Sequence, residues 1–330
     1  MTRPTSFSTL LVPLLLVLSL LAPAAARAEN APSAASCPPA AQAPAAEQIE
    51  AGLKTARDRG FLWRISKDGR TSHLYGTLHV ARQEWMMPGA TVMRALQASD
   101  VLALELDIGD PAILERLRRG MAWRPEQALE PALTERLRQQ VLAACLPEQM
   151  LTAMAPEVLA SSLLVMAARR VGLDPAFGVD AVMAGLGRGL DKAVVSLETP
   201  ELQLQVLLGR SREESAALVL QVLQGLESGE ALPLLSRIAQ VWADSRHGEL
   251  ERYEQWCNCV DTPHDRAMYR RLLDDRNPAL AERIDAMHMA GRRVFAAVGS
   301  LHMVGGSALP TLLAQRGYAV ERVGFPATPR

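Results

Sequence analysis

Aromatic residues make up only 4% of this 330-residue chain, and histidine occurs six times. Neither sign of charge is in surplus, since 35 Lys and Arg stand against 36 Asp and Glu for a net charge of −1. That balance removes the basic excess that nucleic-acid binding needs, and no acidic block suggests a solvating tail. Several motifs are also missing. There is no His-Glu-x-x-His, no Gly-x-Ser-x-Gly and no Walker loop, which excludes the helix-borne zinc peptidase site, the nucleophile elbow and the usual triphosphate cradle. The glycines of 185-GLGRG-189 have no strand before them, so they read as a helix end and turn rather than a nucleotide loop.

The chain is 49% hydrophobic and 22% charged, which is ordinary for a globular protein and enough for a sizeable core. Only 10-LLVPLLLVLSLLA-22 is a sustained apolar run, and it is shorter than the roughly 20 residues that span a bilayer. With Arg3 before it and 26-ARA-28 after it, residues 1–28 read as a secretory signal peptide cut after Ala28. Cleavage removes Arg3 and Arg27 and no acids, taking the net charge from −1 to −3. The mature protein is expected to be exported, periplasmic or secreted, without a membrane span.

Export bears on the four cysteines, Cys37, Cys145, Cys257 and Cys259. An oxidising compartment favours disulfides over a soft-metal site at Cys257-Asn-Cys259 with His264. Four cysteines allow three pairings. A bond between Cys257 and Cys259 closes a strained ring, so one or both are expected to reach Cys37 or Cys145.

Residues 29–48 are rich in Ala and Pro and read as a flexible linker, with the folded domain at 49–330. Phe61–Ser66 and Ser72–Leu78 read as two strands of a hairpin joined across Lys67-Asp68-Gly69-Arg70. Strands are further expected at 100-DVLALELDI-108, 193-AVVSLE-198, 293-RVFAAVGSLHMV-304 and 318-YAVERVGF-325. Between roughly 111 and 291 apolar residues recur at helical spacing, as in Val219, Val222, Leu223 and Leu226. The fold class is therefore α/β: a central mixed sheet flanked by helices, with strands from both chain ends and a large helical insertion.

Two phrases repeat across that architecture, 76-GTLH-79 and 299-GSLH-302. Each puts a histidine where a strand runs out, three residues after a glycine that permits close approach. Glu105, inside the apolar run 101-VLALEL-106, needs a partner, because an unpaired buried carboxylate is costly. Glu105 and Asp107, two apart, share one face of a strand. In α/β sheets ligands gather beyond the carboxyl ends of the strands. His79, Glu105 and His302 are thus candidate ligands for a divalent metal, which would lower the pKa of a bound water and polarise a carbonyl. The plainer alternatives are hydrogen-bonded structural histidines and a salt bridge from Glu105 to an arginine of the helical middle. His73 has no assigned role, and His247, His264 and His288 fall on expected helices as surface or packing residues.

The stretches 62-LWRIS-66, 75-YGTLHV-80, 102-LALELD-107, 178-GVD-180, 197-LETPELQ-203, 276-RN-277 and 298-VGSLHMVG-305 together resemble the TraB/GumN family, whose animal relatives include the Tiki proteins. The resemblance runs from about Phe61 to Phe325. It implies a fold related to the erythromycin-esterase and ChaN-like proteins, with an active centre built from Gly76, His79, Glu105, Gly299 and His302. Tiki-like members are metal-dependent peptidases favouring manganese or cobalt, so Mn, Co or Zn is the implied cofactor and a peptide or small molecule the implied substrate. Arg276 would stabilise an oxyanion or anchor a substrate carboxylate, or form a salt bridge; Asp180 and Glu198 would support the site or the fold. The resulting expectation is an exported metal-dependent hydrolase of the peptidase type. The alternatives are a metal-independent esterase-like hydrolase and a non-catalytic binding protein for a peptide, haem or polysaccharide-related ligand.

Overall fold

The computed structural model describes residues 37–39, 41 and 45–325, so the expected signal peptide at 1–28 lies outside the described residues. Six strands form one mixed sheet: β1 (Phe61–Lys67), β2 (Arg70–Thr77), β3 (Val101–Leu104), β4 (Ala193–Ser196), β5 (Val294–Gly299) and β6 (Ala319–Val323), in the order β4-β3-β5-β2-β1-β6. β1 and β2 are an antiparallel hairpin with Lys67 opposite Arg70. Asp68 and Gly69 both take positive φ, at 51° and 72°, as a two-residue turn of the twisted hairpin type requires. β2, β5, β3 and β4 then run parallel to one another. β3 and β5 are buried along their whole length, as the uninterrupted apolar runs VLAL and VFAAVG require of strands covered on both faces. Exposed positions fall on the outermost strands β4 and β6 and at Arg64 of β1.

Helices fill the connections. Val179–Gly189 packs on β3, β4 and β5, where a side chain at Gly187 would stand 2.6 Å from Leu102 Cδ2. Asn277–Met289 packs against β5 and against Leu309–Gln315. Pro156–Ala168, apolar on every side, is buried almost throughout and packs against Arg212–Ser228 and Ala231–Ala243. Ala231–Ala243 is pinned to the sheet by Trp242, whose Nε1 donates to Gly76 O at 2.7 Å. Gly60, with φ +74°, passes so close to that indole that a Cβ there would lie 2.4 Å from it. A first helix, Ala46–Thr55, begins inside the segment expected to be linker.

The strands end earlier than their sequence suggests. The apolar runs to Ile108 and Glu198 continue as loops, and the run to Val304 as a 3-10 turn at Ser300–Met303, because the chain turns out of the ladder at Glu105, Leu197 and Ser300. Part of the ladder persists, with Leu197 N donating to Leu104 O at 2.7 Å and Glu198 N to Glu105 O at 2.9 Å. The expected cysteine pairing is overturned: Cys37 bonds Cys145, and Cys257 bonds Cys259. Asn258 makes the short ring possible by taking φ +51°, a left-handed conformation that Asn tolerates. His288 is fully buried, with Nδ1 2.8 Å from Ser72 Oγ, and His247 packs edge-on against Phe61 and Trp63, so both are packing residues.

Candidate active site at the carboxyl edge of the sheet

The four parallel strands end side by side, and each delivers one ionisable side chain just past its last residue. β2 leads to His79, β3 to Glu105, β4 to Glu198 and β5 to His302. His302 sits on a short 3-10 turn, Ser300–Met303, rather than on the strand itself. Arg276 enters from the N-terminus of Asn277–Met289, directly after a π-helical turn at Arg270–Asp274. Glu105, Glu198, Arg276 and His302 are all buried.

Local backbone contacts explain how His79 is held. Val179 N donates to Leu78 O at 2.7 Å, and Ala81 and Asp174 exchange backbone bonds at 3.2 and 2.9 Å. Gly178 allows this approach, since a Cβ there would lie 2.4 Å from His79 O. The clamp brings Asp180 within 2.9 Å of His79 Nδ1. His302 is tied in the same way: its Nδ1 lies 2.5 Å from Asn277 Oδ1, while Asn277 Nδ2 donates to Ser307 O at 2.8 Å. Because the amide oxygen of Asn277 accepts, His302 carries its proton on Nδ1 and turns Nε2 inward.

Gly299 is the common neighbour. A Cβ there would stand 3.1 Å from Glu105 Oε1, 3.6 Å from His302 Cδ2 and 3.8 Å from His79 Nε2. Its N–H donates to Glu105 Oε1 at 2.8 Å. Gly76, the other glycine of the repeated phrase, packs instead against Ser300, 3.0 Å from Oγ by the same measure.

Arg276 occupies the middle of the cluster. Its Nε donates to Glu198 Oε1 at 2.8 Å, and its Nη2 lies 2.5 Å from Glu198 Oε2 and 2.5 Å from Glu105 Oε2. Its Nη1 donates to Leu272 O at 2.9 Å and approaches His302 Nε2 at 3.3 Å. Glu105 therefore does meet an arginine of the helical segment, and Glu198 and Asp180 are direct partners of Arg276 and His79. Asp107 does not join them: it turns to Arg188, 2.5 Å away, because β3 ends before the alternation can carry it to the same face as Glu105. Gln203, to which the sequence assigns no role, donates to Glu198 Oε2 at 2.5 Å and reaches Glu105 Oε2 at 3.4 Å.

The two imidazoles are driven apart electrostatically. Burial disfavours a charge on His79, but Asp180, through charge and hydrogen bond, and Glu105 outweigh it and raise its pKa to about 9. Burial carries His302 the other way, to about 3, with Arg276 and His79 adding to the shift against Glu105. Burial likewise opposes the charge on Glu105, yet Arg276, both imidazoles and the Gly299 N–H hold its carboxyl well below the usual carboxylate range. Paired groups with opposed shifts are the arrangement from which acid and base roles arise. Beside His79 and Gly299 a cleft with a cavity volume of about 50 Å³ opens to solvent.

Among the described residues no three His, Cys, Asp or Glu side chains are gathered into a metal site. The Arg276 guanidinium contacts both Glu105 Oε2 and His302 Nε2, which lie 3.9 Å apart. The chemistry of the donors nevertheless suits a divalent cation. Each imidazole is fixed at Nδ1 by an oxygen acceptor, the outer support that metal-binding histidines generally have. Two carboxylates, Glu105 and Glu198, also share the Arg276 guanidinium, and a third, Asp180, meets His79.

The fold and this cluster define an α/β protein with a buried two-histidine, carboxylate and arginine centre at the carboxyl ends of parallel strands. A family model agrees in extent with that unit: the TraB/PrgY/gumN family matches residues 61–322, from the start of β1 almost to the end of β6, and the chain belongs to that family. Neither the curated proteins nor the solved structures contain a match.

Proposed function

We propose that this protein is an exported hydrolase of the peptidase type, with His79, Glu105, Arg276 and His302 as its reaction centre. The observation that carries the reading is the pair of imidazoles, each oriented through Nδ1, around the one glycine that also binds Glu105. Charged groups buried at this cost are poor devices for stability alone, and burial with opposed pKa shifts points to chemistry.

His79, Glu105 and His302 would hold a divalent metal such as Mn, Co or Zn, which when bound supplies a hydroxide-like water and a Lewis acid. The chain's own groups supply the rest. Glu105, its carboxyl held well below the usual carboxylate range by Arg276 and the imidazoles, orients water through the lone pair that Gly299 leaves free on Oε1. Arg276, fixed by Glu198 and Leu272 O, presents a permanent positive charge to a developing oxyanion. Asp180 and Asn277 keep the two rings from rotating.

A metal-free hydrolase is the second reading, favoured by one observation: Asp180 lies 2.9 Å from His79 Nδ1, a carboxylate–imidazole pair of the kind that serves as general acid or base. Hydrolysis of a peptide pool by the purified mature chain, before and after chelation and metal return, separates the two. Activity lost on chelation and restored by Mn or Co supports the metal reading, and activity indifferent to chelator supports the second. No hydrolysis under any metal removes both and leaves a binding protein.

A further inference from the structure

The cleft beside His79 has a composition unlike the cluster it adjoins. Its walls are aliphatic, with Leu78, Val80, Leu235, Ile238 and Leu301, and no Lys, Arg, Asp or Glu lines it. Leu235 and Ile238 come from Ala231–Ala243, the helix that Trp242 pins to Gly76, so this wall and β2 form one rigid unit. The cleft's cavity volume of about 50 Å³ is well below that of sites for whole small molecules and leaves room for no more than a single side chain. Ligand sites are apolar with a few placed polar groups.

One polar group is left over. Thr77, which lines the cleft, is 1% exposed, and its Oγ1 has no hydrogen-bond partner. The neighbouring Ser300 hydroxyl is already committed, donating to Thr77 O at 2.8 Å. A buried hydroxyl without a partner is unfavourable in the free protein and becomes favourable once a ligand atom pairs with it.

We propose that this cleft is a specificity pocket for an uncharged aliphatic side chain of a peptide substrate, and that the Thr77 hydroxyl donates to a backbone carbonyl of the same peptide. The proposal rests on the hydrolase reading and names its substrate class. The arrangement accounts for both observations at once: the aliphatic walls exclude charged side chains, and the unpaired hydroxyl sits beside them, close to where His79 meets the scissile bond.

The test uses the full mature chain and the N-acetyl amides of leucine, glycine, aspartate and lysine, with binding followed by NMR titration. The leucine probe is expected to bind at least about tenfold tighter than the other three, the scale of a buried aliphatic group. Thr77→Val keeps the shape and removes the hydroxyl. It should weaken the leucine probe about tenfold while thermal stability stays level or rises, whereas a structural hydroxyl would show as lost stability. Ile238→Trp fills the cleft and should abolish the preference for leucine. If that variant fails to fold, Leu235→Ala should shift the preference toward the larger phenylalanine amide. Equal affinity for all four probes, no binding of any of them, or a Thr77→Val protein unchanged in affinity overturns the proposal. Leucine-selective binding without cleavage of leucine-containing peptides keeps the pocket and removes the hydrolase; cleavage indifferent to the side chain does the reverse.

Discussion

Arg276 bridges Glu105 and Glu198, with one guanidinium nitrogen 2.5 Å from an oxygen of each. Two strands that are neighbours in the sheet thereby end in carboxylates that share a single cation. Removing that cation strands two buried negative charges. Arg276→Gln should therefore destabilise the fold by about 3–5 kcal/mol, measured by urea unfolding. Arg276→Lys, which keeps the charge but loses the planar fork, should recover part of that loss. An Arg276→Gln protein as stable as the parent would mean that the carboxylates find other partners.

Asp180 offers a second probe of the site, because it is partly exposed and its carboxylate is the direct partner of the His79 imidazole. Asp180→Asn keeps the shape but weakens the hold on His79 Nδ1. Hydrolysis should fall about 10- to 100-fold, as for other partners of oriented histidines, with a smaller loss of stability than Arg276→Gln causes, since one partly exposed contact is weakened. Loss of stability without loss of rate would make Asp180 a structural contact.

The same cluster shows how far the sequence could be read. His79 and His302 were legible because one phrase occurs twice, and Glu105 because an acid interrupts an apolar strand. The β1–β2 turn was legible from Asp-Gly alone. Arg276 was visible only through resemblance, since it is one of 35 basic residues and its helix position has no distinctive spacing. Gln203 and Thr77 matter through tertiary neighbours that no local pattern encodes. The disulfides were misread because ring strain was weighed without the left-handed Asn258 that relieves it. The strand ends were overrun because apolar sequence continues past the point where the chain leaves the ladder to deliver its ionisable groups.

Gly299 should tolerate no side chain. A Cβ 3.1 Å from Glu105 Oε1 would push that carboxylate off the Gly299 N–H and disturb His302 beside it. Gly299→Ala is expected to cost about 1–3 kcal/mol, the usual scale of overpacking, and to abolish measurable hydrolysis. Gly305→Ala is no fair control, because Gly305 has φ +89°. Gly185→Ala is the proper control: it lies on a helix with open space around it and should leave both properties intact.

The two disulfides should differ sharply in worth. Cys37–Cys145 spans 108 residues and ties the start of the described chain to the end of Pro131–Ala143, whereas Cys257–Cys259 spans two. In the chain-entropy view the long loop contributes about 4–5 kcal/mol and the short one far less. Cys37→Ser with Cys145→Ser should lower the unfolding midpoint well below that of Cys257→Ser with Cys259→Ser. Equal losses would place the stabilisation in native contacts instead.

His73, on β2 and remote from the cluster, should make stability depend on pH. Burial lowers its pKa to about 4, and Arg64, paired opposite it in β1, adds to the shift. Its Nδ1 is buried without a partner among the described residues, so a proton added there gains no hydrogen bond from the folded chain. The unfolded chain protonates this ring near pH 6.5, where the folded chain still keeps it neutral. The unfolded state thus binds more protons between about pH 6.5 and 4, and stability must rise with pH across that window. The contribution is complete above the unfolded value and is lost as pH falls through the window. A shift of this size corresponds to roughly 3 kcal/mol at most, and to less after allowance for the partial exposure of the ring. In His73→Phe the slope of unfolding free energy against pH between 4 and 6.5 should flatten. Other groups, His302 among them, will leave a residual slope. An unaltered slope in that variant would mean that His73 finds a partner for its charge in the folded protein.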